Sequence, residues 1–131
     1  MGDTKDYSKF RWDINDYSAI KPELLELFDY EYKGKDIRVK IETDEFSAVC
    51  PWSGLPDYGK IIVEYIPTEY ILELKSFKYY LYTYRNVGIY QEHAINRIFE
   101  DIDKILKPKK MKITLIYNIR GGILTTVVKE K

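Results

Sequence analysis

Residues 95–119, INRIFEDIDKILKPKKMKITLIYNI, change their hydrophobic period part-way along, and that change decides the class of fold. Ile95, Ile98, Phe99, Ile102, Ile105 and Leu106 follow i, i+3, i+4 spacing, the apolar stripe of a helix that Pro108 stops. From Met111 the period falls to two: Met111, Ile113, Leu115, Tyr117 and Ile119 alternate strictly, as in a strand with one face on a core. Arg120-Gly121-Gly122 then reads as a turn, and Ile123 to Val128 as the returning strand. Upstream, Thr68 could cap another helix carrying Ile71, Leu74, Phe77, Leu81 and Tyr84 on one face, broken by Arg85-Asn86-Val87-Gly88. Before it, Lys60 to Ile66 is a β-rich run stopped by Pro67, preceded by a loop punctuated by Pro51, Gly54, Pro56 and Gly59. Ile37, Val39 and Ile41 alternate with Arg38 and Lys40, and Phe46 to Val49 can continue that extended path. The order ββααββ predicts an α+β fold, with helices covering one face of an antiparallel sheet. The other face is left for a partner, another subunit being the simplest. Residues 1–33 read as an irregular N-terminal arm with a short helical turn after Pro22, and residues 34–131 as the folded domain.

Composition narrows the function. The chain has 131 residues, 21 Lys plus Arg against 21 Asp plus Glu, and one cysteine. Zero net charge argues against a generic nucleic-acid or anionic-membrane binder. A single thiol excludes an internal disulfide framework and a multi-cysteine metal site within one chain. No stretch of about 18 apolar residues offers a transmembrane helix. Met1-Gly2-Asp3-Thr4-Lys5-Asp6 leads into no apolar segment of a signal peptide, so a cytoplasmic protein is expected.

The lone cysteine sits in Phe46-Ser47-Ala48-Val49-Cys50-Pro51-Trp52-Ser53-Gly54-Leu55-Pro56-Asp57-Tyr58, at a strand end inside a Pro/Gly-shaped loop. Cys50 can be a nucleophile if its surroundings raise the thiolate fraction, which is only a few per cent for a thiol of pKa about 8.5 at neutral pH. Asp57 lies seven residues on, where a folded-back loop would bring its carboxylate toward the sulfur as a proton shuttle. The alternative is a small buried hydrophobe. A papain-like triad fits poorly, because the one histidine is His93. Further on, Glu73-Leu74-Lys75-Ser76-Phe77-Lys78-Tyr79-Tyr80 places Lys75 and Lys78 one turn apart on a helix edge, and Glu73 and Ser76 likewise. The lysine pair suits a phosphate-bearing ligand, and both pairs equally suit an ordinary solvated surface.

Together these two segments resemble a known family, the NADPH-dependent 7-cyano-7-deazaguanine (preQ0) nitrile reductases of queuosine biosynthesis, in their short, single-domain (type I) form. All eight positions of Glu73–Tyr80 comply with that family's helix signature, and Cys50-Pro51…Gly54-Leu55-Pro56-Asp57 resembles its catalytic loop. Tyr84-Arg85-Asn86, Gln91-Glu92 and Arg120-Gly121-Gly122 match further positions, so the likeness spans roughly residues 35 to 128.

The resemblance implies a tunnelling fold (T-fold), a ββααββ unit assembling into multi-subunit barrels with active sites between subunits, and a decamer of two pentamers. It implies reduction of the nitrile of preQ0 to the amine 7-aminomethyl-7-deazaguanine (preQ1), a step toward tRNA queuosine. Cys50 would attack the nitrile carbon to form a covalent thioimide, with Asp57 supplying the proton. Glu92 would grip the guanine-like edge, with Gln91, Glu73 and Ser76 as further substrate contacts. Lys75, Lys78 and Arg120, with Gly121 and Gly122, would hold the phosphates of NADPH. No metal is called for. Many members carry His-Glu where this chain has Gln91-Glu92; Gln91 can hydrogen-bond but cannot titrate, which leaves Asp57 as the principal acid. His93 is then structural or interfacial. Two rivals are an archaeosine-type amidinotransferase acting on preQ0-modified tRNA through the same thioimide, and a non-catalytic T-fold assembly module. Neutral charge fits a free nucleobase rather than direct nucleic-acid binding.

Overall fold

The change of period at Pro108 separates a helix from a central strand in the computed structural model, which describes residues 6–131. Residues 1–5 of the arm, and with them most of the segment read against a signal peptide, lie outside the described residues. In chain order the elements are β1 (Leu27–Asp29), β2 (Val39–Val49), β3 (Pro56–Ile66), β4 (Tyr70–Leu72), α1 (Leu74–Tyr82), α2 (Gln91–Leu106), β5 (Lys110–Tyr117) and β6 (Thr126–Glu130). A four-stranded antiparallel sheet runs β2-β3-β5-β6, and β1 pairs with β4 in a separate two-stranded ribbon. The fold is α+β, as the sequence periods predict.

The period-two strands do what alternation demands. Ile61, Val63 and Tyr65 of β3 and Met111, Ile113, Leu115 and Tyr117 of β5 are buried. The intervening Lys60, Glu64 and Lys112 belong to the opposite face. Onto the buried face α2 lays Ala94, Ile95, Ile98, Phe99, Ile102 and Leu106. Each large apolar side chain so covered contributes about 1.5–3 kcal/mol. That outweighs the differences in intrinsic helix propensity, which are under about 1 kcal/mol per residue. The helix ends at Lys107, in the left-handed region at φ 46°, whose N–H bonds to the carbonyl of Asp103 at 3.0 Å.

Three boundaries differ from the sequence reading. Thr68 does not cap α1, because its hydroxyl donates to the Lys107 carbonyl at 2.8 Å. Tyr70–Leu72 is instead strand β4, its backbone claimed by β1 of the arm, and Glu73 caps the shorter helix through both carboxylate oxygens, to the N–H groups of Lys75 and Ser76. The arm is thus less irregular than it reads: besides β1 it carries 3-10 turns at Tyr17–Ala19 and Pro22–Leu24 and buries Ile20, Leu25 and Tyr30. Finally, the returning strand begins at Thr126 rather than Ile123. Arg120 and Ile123 close a tight turn by mutual backbone hydrogen bonds of 3.1 and 3.0 Å. Gly121 and Gly122 at its centre both have positive φ, as a type I′ turn requires.

One irregularity sets up the site. Thr43 pairs with Ile61 but Phe46 pairs with Gly59, so Asp44 and Glu45 together face Lys60 alone. This bulge switches the inward parity of β2 from Val39, Ile41 and Thr43 to Phe46 and Ala48.

Candidate active site

After the bulge, Ala48 pairs directly with Asp57, so the two side chains share the helix-covered face. Asp57 therefore belongs to β3 and not to the loop the sequence suggested, and it is buried at 4% exposure. Cys50 lies two residues beyond Ala48, at the mouth of a closed turn. Its N–H bonds to the Leu55 carbonyl and its own carbonyl accepts from the Gly54 N–H, both at 2.9 Å. Burial alone would raise the Cys50 thiol. The Ser53 hydroxyl, the N–H groups of Ser53 and Trp52, and the charge of Arg120 outweigh burial and hold the thiol below its ordinary value. Ser53 Oγ accepts from the Leu55 N–H at 3.2 Å, which leaves the hydroxyl hydrogen for the sulfur.

Asp57 is shifted the opposite way. Burial pushes its carboxyl up, and the ion pair it forms with Arg120 offsets that only in part. Arg120 reaches Asp57 from the glycine turn between β5 and β6, with its side chain about half exposed. The groove beside them, about 290 Å³, is lined by Asp57, Gln91, Glu92, Tyr117, Asn118 and Arg120, among others. At its floor Gln91 accepts a hydrogen bond from the Tyr117 N–H at 3.1 Å through Oε1, while its buried Nε2 has no partner among the described residues. Glu92, in the first turn of α2, is exposed to the same groove. A depressed thiol and an elevated carboxyl that share Arg120, with a free amide donor and a carboxylate in the groove beside Asp57, can add a nucleophile to a polarised carbon and protonate its neighbour.

The profile of the family described as QueF-like protein matches residues 56–131. The chain belongs to this QueF-like family. A relative from Thermotoga petrophila, named NADPH-dependent 7-cyano-7-deazaguanine reductase, is 56% identical across 88% of this chain and 83% of its own. A relative of the same name from Caldanaerobacter subterraneus is 52% identical across 95% of this chain and 93% of its own. Among solved structures, the apo form of the archaeosine synthase QueF-Like superposes with a TM-score of 0.63 at 28% identity, covering 72% of this chain and 91% of that one.

In this member of the QueF-like family the fold gathers Asp57, Gln91, Glu92 and Arg120 in one groove, and Arg120 also acts on Cys50. It does not bring the α1 residues there. Lys75 and Lys78 are exposed, and Lys78 borders a smaller groove of about 150 Å³ with Ile41, Thr43 and Tyr82. Glu73 is occupied as the α1 cap, and buried Ser76 bonds the Glu73 carbonyl and the Glu26 N–H. Gly121 and Gly122 shape the turn that carries Arg120. His93 is exposed, with its ring 6.5 Å from that of Tyr90. Among the described residues no group of three or more His, Cys, Asp and Glu gathers around a common point, and no helix is long and apolar enough to cross a membrane. Two contributors escaped the sequence reading. Tyr117 was legible only as a core strand residue, and Ser53 only as a member of the cysteine loop.

Proposed function

We propose that this chain reduces the nitrile of preQ0 to the amine of preQ1 with NADPH, through a covalent Cys50 thioimide, within queuosine biosynthesis. The carrying observation is the strand pairing that sets Asp57 opposite Ala48, two residues before Cys50, with Arg120 paired to Asp57 and also acting on the Cys50 thiol. The names of the relatives from Thermotoga petrophila and Caldanaerobacter subterraneus support the reductase assignment and its cofactor.

Asp57 takes the proton of the Cys50 thiol, the thiolate attacks the nitrile carbon, and Asp57 passes that proton to the nitrogen, giving a neutral thioimide. An Asp that is hard to ionise is suited to this role. NADPH, when bound, supplies hydride, and two equivalents take a nitrile to a primary amine. Breaking of the C–S bond returns Cys50 as thiolate, and Asp57 moves protons at the nitrogen. Glu92 accepts the parallel N–H groups of the 2-amino-pyrimidinone edge, and the free Nε2 of Gln91 donates to the substrate. Lys75 and Lys78 suit the cofactor's phosphates, being exposed, one helical turn apart and in no ion pair among the described residues. Because they do not line the Asp57 groove of their own chain, the site is best completed by a neighbouring subunit's α1. We therefore propose a homo-oligomer with sites between subunits; the family resemblance extends this to a decamer of two pentamers in the cytoplasm, with residues 34–131 as the catalytic domain.

Purified protein mixed with preQ0 and NADPH tests the reading. Oxidation of two NADPH per preQ1 formed is expected. No oxidation and no amine would overturn it. A covalent adduct that turns over with ammonia but not with NADPH would transfer the chain to the amidinotransferase reading, which the likeness to the archaeosine synthase QueF-Like favours.

A further inference from the structure

The turn that carries Cys50 is covered on its outer side by the N-terminal arm. The Trp12 N–H donates to the Ser53 carbonyl at 3.0 Å. The Arg11 guanidinium stacks over the Trp52 ring at 3.2 Å from its centroid. Gly54, at φ +74°, lies so close under Trp12 that a Cβ there would come within 2.8 Å of Trp12 Cβ and its carbonyl oxygen. The arm is anchored from behind. The Asn15 N–H bonds to the Asn86 carbonyl at 2.8 Å and the Asn15 carbonyl accepts from Gly88 at 3.1 Å. The same 87–89 stretch bonds Val49, the residue before Cys50, through Val49 N–H to Val87 and Ile89 N–H to Val49. The arm therefore reaches the cysteine turn directly at Ser53 and, across the 87–89 stretch, at Val49.

We propose that Arg11 and Trp12 are positioning residues for the nucleophile: the arm clamps the Cys50–Gly54 turn in the shape that presents the Ser53 hydroxyl and the turn's N–H groups to the sulfur. The arm is thereby part of the activating apparatus, although it carries none of the reacting groups. The inference rests on Cys50 being the nucleophile. Trp52 and Ser53 are held by Arg11 and Trp12 on the outer side, and the 2.9 Å bond from the Gly54 N–H to the Cys50 carbonyl closes the turn around them, so the Ser53 hydroxyl and the N–H groups that lower the thiol sit on backbone the arm fixes. Releasing the outer side lets the turn relax and lets water replace fixed donors, which solvate a thiolate with less preorganisation. Arg120, the charge that acts on the sulfur, lies on the β5–β6 turn with its partner Asp57 on β3, and both are untouched by changes in the arm.

The test is the rate at which iodoacetamide alkylates Cys50 across pH, read by intact mass in the full-length protein, where it is the only thiol. Arg11→Ala and Trp12→Pro are each expected to slow alkylation at neutral pH by about three- to tenfold and to move the midpoint of the pH–rate curve upward. Arg11→Lys, which keeps a cation over the ring, should restore most of the rate. Ser53→Ala should slow the parent similarly but add little in the Trp12→Pro background, because both changes remove the same donor. Unchanged pH midpoints in Arg11→Ala and Trp12→Pro, with melting curves like the parent's, would overturn the proposal, as would full additivity with Ser53→Ala. Arg11 is exposed, so the Arg11→Ala and Arg11→Lys pair keeps the test decisive even if Trp12→Pro perturbs folding. Alkylation needs no preQ0. A parent protein that forms no preQ0 adduct would refute the nucleophile reading and leave this comparison standing.

Discussion

Replacing Asp57 by Asn separates what this carboxyl does for stability from what it does for chemistry. Its side chain is 3% exposed, and its one ion-pair partner, Arg120, is 52% exposed. Burial raises the carboxyl above its ordinary value despite that partner. The sign follows: a group whose folded value is raised contributes stability below its unfolded pKa and loses it as pH rises through the folded one. At neutral pH the wild type therefore holds a buried charge that its surroundings do not fully compensate. A charge-assisted hydrogen bond contributes about 1.5–3 kcal/mol, less here because solvent screens the half-exposed guanidinium, against a burial penalty of several kcal/mol per ion. Asn keeps the shape and still accepts from Arg120 through Oδ1. The expected result is a gain of about 1 kcal/mol at neutral pH, a Tm rise of roughly 2–6 °C, shrinking as pH falls through the folded value and gone well below the ordinary Asp value of about 3.9, where Asp57 is neutral in both states. Adduct formation should fall by about two to four orders of magnitude. Thermal melts of both proteins at neutral and acidic pH, alongside preQ0 adduct kinetics, make the comparison. Destabilisation by Asp57→Asn at neutral pH, or a gain that persists unchanged in acid, would refute the reasoning.

Three further outcomes are expected. Lys75→Ala and Lys78→Ala should each raise KM for NADPH about five- to tenfold while leaving the rate of preQ0 adduct formation unchanged, which stopped-flow and intact-mass measurements separate. Glu73→Ala should lower the Tm by removing the α1 cap yet leave KM for preQ0 within about twofold, because both carboxylate oxygens are already engaged by backbone N–H groups. Gln91→Leu should weaken preQ0 binding and destabilise the fold by about 1–3 kcal/mol, since it strands the buried Tyr117 N–H, as denaturant titration and preQ0 binding isotherms would record.

The strands and α2 were legible because period and burial agree there: Met111 to Tyr117 and Ile95 to Leu106 state their faces in the sequence alone. Even the bulge in β2 leaves a trace, as inward residues move from odd numbers at Val39 and Ile41 to even ones at Phe46 and Ala48. Strand β1 was not legible. A three-residue strand has no period to detect, and it exists because the distant Tyr70–Leu72 pairs with it. That same pairing displaced the start of α1 from Thr68 to Leu74. At the site, the positions of Cys50, Asp57, Gln91 and Glu92 came from residue type and family likeness. The Arg120–Asp57 ion pair did not, because it depends on how the 118–125 hairpin curls back over β3. Ser53 was missed for a related reason: its contribution to the thiol comes through turn geometry, which a Pro/Gly pattern announces without specifying.

The central claim is that Cys50 takes the nitrile carbon in a covalent bond prepared by Asp57 and Arg120. Intact-mass analysis of the protein incubated with preQ0 and no NADPH tests it most directly. The account predicts a mass increase of one preQ0 per chain, mapped to Cys50, absent from Cys50→Ala and discharged when NADPH is added. An unmodified parent protein, or an adduct that survives in Cys50→Ala, would contradict it.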